Sequence, residues 1–192
     1  MFASLQQIDT NIFLYLNGLH SPLFDVVMWY ASSKFTWVPL YVGLLYLLIR
    51  QNPGRAGLLL LMIVLLILLS DQSANFAKFV YARFRPSNDP TLHGLVHILR
   101  NYNGGSFGFY SAHASNSFAV AVFVISLAGR RNRWLIPLML SYALLVSYSR
   151  ICLGVHYPGD VLFGAVIGSI YGYAVSRLYF YSVQRSAKKT PV

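Results

Sequence analysis

Three polar clusters interrupt an otherwise apolar chain, and each holds residues able to handle an anion. The first is Lys78, Arg85 and Pro86. Lys78 and Arg85 are seven positions apart, so on one helix they share a face two turns apart, with Pro86 ending the helix. Such a pair could grip an anion, or could snorkel to the membrane surface. The second cluster is Tyr110-Ser111-Ala112-His113, after a loop rich in Gly and Asn. Ser111 suits an N-cap, the free amides of the turn it opens attract anions, and His113 falls in that turn. Capping plus an interfacial histidine would account for it equally. The third cluster runs from Ser149-Arg150 through His156 to Pro158-Gly159-Asp160. Pro158 is placed to begin a helix, with His156 just before it and Asp160 in its first turn. A carboxylate there can accept from Nδ1 of the imidazole, fix the tautomer and leave Nε2 nucleophilic.

Together the clusters resemble the tripartite signature of the type 2 phosphatidic acid phosphatase superfamily: Lys-x6-Arg-Pro, then Pro-Ser-Gly-His, then Ser-Arg-x5-His-x3-Asp. Lys78, Arg85 and Pro86 match the first part, and Ser149, Arg150, His156 and Asp160 the third. The middle part departs from it, with Tyr110 for Pro and Ala112 for Gly, while Ser111 and His113 remain. Ala112 then needs an ordinary helical conformation, and Tyr110 could put an aromatic ring at the pocket mouth. The resemblance implies that His156 is a nucleophile forming a phosphohistidine, that Asp160 orients it, and that His113 is the general acid. It implies that Lys78, Arg85, Ser111, Arg150 and a backbone amide near Ala112 bind phosphoryl oxygens. Such a site needs no metal or other cofactor, since three cations and a helix N-terminus supply the charge stabilisation that phosphoryl transfer requires. The absence of Glu and of any clustered Asp pair also argues against a two-metal centre.

The elements that must present these residues read as membrane spans. The 192 residues are 56% hydrophobic, 16% aromatic and only 10% charged, a composition for which the bilayer is the natural solvent. It excludes disorder, and the single Cys152 excludes an intramolecular disulfide framework. The net charge of +10 would suggest nucleic acid in a soluble protein; here it reflects basic residues flanking spans, and no nucleic-acid partner is expected. Apolar stretches at 35–49, 56–70, 114–128, 134–148 and 161–180 predict an all-α, polytopic transmembrane bundle of five to six spans in one domain, residues 1–192. Several stretches fall short of the roughly 20 residues a helix needs to cross, so their polar ends must join the span. Residues 1–33 carry an amphipathic pattern broken at His20-Ser21-Pro22, which predicts an interfacial or re-entrant segment with a sixth span as the alternative. With the Gln51-to-Arg55 turn inside, nine Lys and Arg lie on the cytoplasmic side, including a basic tail over 182–192, against six outside. The positive-inside rule then makes 86–112 an extracytoplasmic loop and puts the motif residues on that face.

Four further positions carry expectations. Arg83 is about 140° round a helix from Lys78, which assigns it to the membrane surface. Asp71 needs a hydrogen-bonded partner inside its span. His93 and His97 share helical spacing but lack a third metal ligand nearby in sequence, which makes them solvated loop residues. Tyr171, Tyr173, Tyr179 and Tyr181 read as an interfacial belt. By the resemblance, the chain is a metal-independent lipid phosphatase of a bacterial cytoplasmic membrane, acting on undecaprenyl diphosphate, phosphatidylglycerol phosphate or phosphatidic acid. A lipid A phosphatase, or a phosphotransferase using the same site, is the alternative.

Overall fold

The computed structural model describes residues 2–187 and is all-α. Seven α-helices follow in order: α1 (Phe2–Gly18), α2 (Pro22–Ser32), α3 (Val38–Gln51), α4 (Ala56–Tyr81), α5 (Ala112–Ala128), α6 (Leu135–Cys152) and α7 (Pro158–Ala187). A 3-10 turn, Lys34–Trp37, joins α2 to α3. By length and composition α4, α6 and α7 can cross a membrane, and the α2–α3 pair, bent by 70°, is a fourth candidate. That is three or four spans where the sequence predicts five to six; α5 is apolar but has only 17 residues. Lys188 and Lys189 of the expected tail lie outside the described residues.

The helix boundaries follow local chemistry. Pro22 opens α2 behind a Ser21 cap, Pro158 opens α7, and Ser111 caps α5 by accepting from the Ala114 amide at 3.4 Å. The helix carrying Lys78 ends sooner than expected. Ala82 adopts a left-handed conformation (φ 44°), so α4 stops at Tyr81 and Arg85 sits on extended chain, not on the same helix face as Lys78.

Helices α5 and α7 pack closest, because α7 presents glycine every fourth residue: Gly164, Gly168 and Gly172. A Cβ at Gly164 would lie 2.6 Å from the Ser111 carbonyl oxygen, and one at Gly172 2.5 Å from that of Ala119. At Gly168 a Cβ would collide with the Ser115 backbone. Small residues at this spacing let two backbones approach where a side chain would hold them apart. Buried Ser70 of α4 hydrogen-bonds Ser115 of α5 across 2.6 Å, tying a third helix to the pair.

Helix α1 is inverted relative to a soluble amphipathic helix. Leu5, Ile8, Ile12, Tyr15 and Leu19 are exposed, whereas Phe13 and Asn17 are buried and Asp9 faces the protein. Asn17 shares its side-chain amide among the carbonyls of His97, Ile151 and Cys152, each at 3.1 Å, and accepts from the His97 amide at 2.8 Å. An apolar outer face with polar contacts inward is what a lipid environment selects. Of the tyrosines read as a belt, Tyr173 and Tyr181 are exposed, but Tyr179 is buried because its helix face turns into the core cluster shared with α3, α4, α5 and α6.

Gly168→Leu is expected to push α5 from α7 at a cost of about 1–3 kcal/mol or more, lowering the thermal midpoint in detergent. Ile170→Leu, on the exposed face, should leave it unchanged.

Candidate active site

Four helix ends meet around one cavity of about 650 Å³. Lys78 comes from the end of α4, Ala112 and His113 from the start of α5, Arg150 from the last turn of α6, and His156 from just before α7. Arg85 joins them from the loop after α4. Six of the eight predicted site residues therefore line one space. Ser111 and Asp160 are fully buried and stand behind it, Ser111 capping α5 and Asp160 backing His156.

Arg85 is held by the loop that follows it. Phe84 bridges Phe107, the Arg85 amide donates to the Ser106 carbonyl at 3.1 Å, and Nε donates to the Phe107 carbonyl at 3.0 Å. Gly104, at φ 67°, gives the guanidinium room, since a Cβ there would come within 2.5 Å of Nη1. Arg150 is 2% exposed, donates to Ser32 Oγ and reaches the Tyr102 hydroxyl at 3.5 Å. Its Nε is buried with no partner among the described residues. An unsatisfied donor on a buried cation is costly unless something fills the cavity.

Burial and the surrounding cations together set the protonation of His156. Burial first, and then Arg85, Arg150 and Lys78, push its imidazole well below the ordinary 6.5, so the ring is neutral and keeps a lone pair. Burial and the neighbouring Arg150 likewise hold Arg85 below its usual value. Asp160 Oδ2 lies 3.6 Å from His156 Nδ1, within ion-pair range but longer than a hydrogen bond. That carboxylate accepts from the Tyr157 amide at 3.1 Å through Oδ2 and from Arg83 Nη1 at 2.7 Å through Oδ1.

Arg83 is thus not a membrane-surface residue, contrary to its helical-wheel position. The left-handed turn at Ala82 sends it back toward the protein, where it pairs with Asp160 and, at 2.7 Å, with Asp9 of α1. The wheel angle of about 140° belongs to a helix that has already ended at Tyr81. Tyr110 does not sit at the cavity mouth either. It is buried, donates to Ser73 Oγ at 2.8 Å and packs against Phe163, locking the start of α5 to α4 and α7. Asp71 lines the cavity and accepts from Asn75 at 3.5 Å. Tyr102 and Lys34, which no motif contains, also line it.

His97 is not a solvated loop residue. Its Nε2 lies 3.0 Å from Asp25 Oδ2, and its ring stacks on His20 with centroids 3.8 Å apart. Among the described residues these three offer the grouping whose ligand atoms, within 4.8 Å of one another, could hold a metal. The two rings are parallel to within 4°, so their in-plane lone pairs do not converge on a point. The trio as built is a hydrogen-bonded clip between the α1–α2 turn and the 86–112 loop.

The chain is 39% identical over its whole length to the lipid A 4'-phosphatase of Bacteroides thetaiotaomicron, covering 86% of that protein. It is 30% identical to the undecaprenyl-diphosphatase of Sulfolobus acidocaldarius across 84% of this chain and 70% of that one. Its fold is similar, with a TM-score of 0.70 at 23% identity, to a transmembrane PAP2-type phosphatidylglycerolphosphate phosphatase of Bacillus subtilis, covering 91% of this chain and 86% of that one. The sequence profile of the PAP2 superfamily matches residues 55–184, a stretch that contains every motif residue around the cavity. With the motifs, the fold and the sequence all pointing the same way, this chain belongs to the PAP2 superfamily.

Proposed function

We propose that the protein is a metal-independent membrane lipid phosphatase that works through a phosphohistidine on His156, with the 4'-phosphate of lipid A as its substrate. The observation that carries this reading is the two-ended cavity. One end holds Lys78, Arg85, Arg150 and the two histidines; the other runs past Trp37, Leu44 and Leu48 of the α3 region, Ile63 and Ile67 of α4, and Phe123 of α5. A phosphorylated headgroup that carries acyl chains matches that division of charged and apolar lining. The whole-chain similarity to a lipid A 4'-phosphatase supports the headgroup. A polyprenyl diphosphate is the second reading, favoured by the similarity to an undecaprenyl-diphosphatase.

The chemistry proceeds by two displacements. His156 Nε2 attacks phosphorus, the bond to the lipid oxygen breaks, and His113 gives that oxygen its proton. Water then attacks the phosphohistidine, losing a proton to His113 as the N–P bond breaks, and inorganic phosphate leaves. Lys78, Arg85, Arg150 and the amides at the start of α5 near Ala112 stabilise the equatorial oxygens. Asp160 supports the cationic character that His156 gains. Ser111 keeps the α5 amides in place through its cap.

For topology, the reading is five spans, α3 through α7, with α1 and α2 on the extracytoplasmic face beside the site. Helix α5, about 25 Å long, is read as a short span whose polar first turn, with Ser111 and His113, meets the headgroup region. Lys34, at the start of the α3 region, lines the same cavity as Lys78 at the end of α4, as antiparallel neighbouring spans require.

Four outcomes test these assignments. His156→Ala should lose turnover by roughly 10⁴-fold or more, and brief exposure of wild type to labelled substrate should leave an acid-labile phosphoryl adduct on His156; label on a serine would sink the nucleophile. Phosphate release with chelator present should be faster from bis-phosphorylated lipid A than from undecaprenyl diphosphate, phosphatidylglycerol phosphate or phosphatidic acid. Ile63→Trp should depress release from lipid A while sparing a short-chain phosphate ester, and equal loss on both would contradict the apolar arm. Finally, in a Cys152→Ser background, an impermeant maleimide on intact cells should label Asn103→Cys but not Asn132→Cys; the opposite pattern inverts the orientation.

A further inference from the structure

The geometry points to α1 as a working part of the site: we propose that Asp9 and Arg83 are positioning residues that hold the Asp160 carboxylate, and through it the His156 ring, against the bound phosphate. This rests on the reading of His156 as nucleophile.

Asp9 uses both carboxylate oxygens on catalytic elements. Oδ1 accepts from the Gly159 amide in the first turn of α7 at 2.8 Å, and Oδ2 accepts from Arg83 Nη2 at 2.7 Å. The other terminal nitrogen of the same guanidinium donates to Asp160 Oδ1 at 2.7 Å. The guanidinium also lies over the Tyr157 ring, 4.1 Å from its centroid. One arginine thus bridges carboxylates 151 positions apart in the chain, from the first and last helices. A bidentate fork can do this and a point charge cannot.

Two features make this more than a tether for α1. First, Arg83 and the Tyr157 amide between them engage both Asp160 oxygens. The carboxylate cannot rotate without breaking one of these bonds, so the face it turns to His156 is set. A fully buried carboxylate beside a neutral imidazole also needs a cation, and Arg83 is the one ion-paired with it among the described residues. Second, the approach of α1 depends on the motif segment itself. A side chain at Gly159 would come within 2.8 Å of Asp9 Oδ2, so glycine between Pro158 and Asp160 is what admits the α1 carboxylate. At the far end of the inward face of α1, Asn17 secures the carbonyls that end α6 and the loop carrying His97. One helix face therefore braces the segments on both sides of His156.

The test uses the full chain in detergent, with phosphate release from bis-phosphorylated lipid A, thermal midpoints, and His156→Ala run in parallel. Arg83→Gln should lower kcat by roughly 10–100-fold, the loss that a small misplacement of a reacting group produces, with KM within about threefold, since Lys78, Arg85 and Arg150 remain. Asp9→Asn should lower kcat less. The double variant should be no worse than Arg83→Gln, because both changes cut one chain of contacts. Arg83→Lys keeps the charge but cannot bridge, and it should also lose kcat; it decides the matter where Arg83→Gln does not fold. A raised KM at constant kcat would make Arg83 a substrate-binding group. A lowered thermal midpoint with both constants intact would make it a docking contact. Either overturns the proposal, as does additivity of the two changes. An inactive His156→Ala beside a fully active Arg83→Gln sinks this inference alone, whereas an active His156→Ala sinks the nucleophile itself.

Discussion

The separation of α5 and α7 governs this protein. His113 stands in the first turn of one helix and His156 and Asp160 at the start of the other, so the distance between two backbones sets the spacing of the proposed acid and nucleophile. Three glycines at four-residue intervals bring α7 against the carbonyls of Ser111, Ser115 and Ala119. In a membrane no hydrophobic gradient pulls helices together, and close backbone packing does that work instead. The same contact explains why the Ser111 amide reaches the Asp160 carbonyl at 3.1 Å. The cap of α5 is thus joined directly to the first turn of α7.

A second constraint is electrostatic. Arg85 and Arg150 are both nearly buried, and Lys78 shares their cavity. Like charges gathered in a poorly solvated space repel one another and lower the affinity of the space for protons. The arrangement holds because the fold is rigid around it: Gly104 and the Phe84–Phe107 bridge grip one arginine, and Ser32 and Tyr102 grip the other. The stored repulsion is relieved by an anion. Together with burial, the same charges keep His156 neutral, which suits the nucleophile role proposed for it.

Outside this centre, polar contacts in a lipid setting stand in for a soluble core. Asn17 satisfies backbone carbonyls left open at the end of α6, and Trp37 Nε1 donates to the Ala31 carbonyl at 2.8 Å across the bend between α2 and α3. Each contact meets a backbone group that the bilayer could not satisfy. The exposed leucines and isoleucines of α1 and α4 face outward without cost in lipid.

Much of the site could be read from local sequence. Ser111 as a cap, Pro158 as a helix start and the order of the three motifs depend on near neighbours, so residue type and spacing determined them. The apolar runs likewise determined the all-helical class. What tertiary structure alone decided was the course of the chain after Tyr81. A left-handed residue at Ala82, with no glycine to announce it, turned Arg83 from an outward helix position into the bridge between Asp9 and Asp160. The same holds for His97, whose partners Asp25 and His20 are some seventy residues away in sequence, and for Tyr110, which substitutes for a proline yet anchors α5 to α4. The amphipathic pattern of residues 1–33 was visible, with Asp9 and Asn17 off its apolar face. Its direction was not, because the period of a helix says which residues share a face, while only packing against neighbours says which face turns inward.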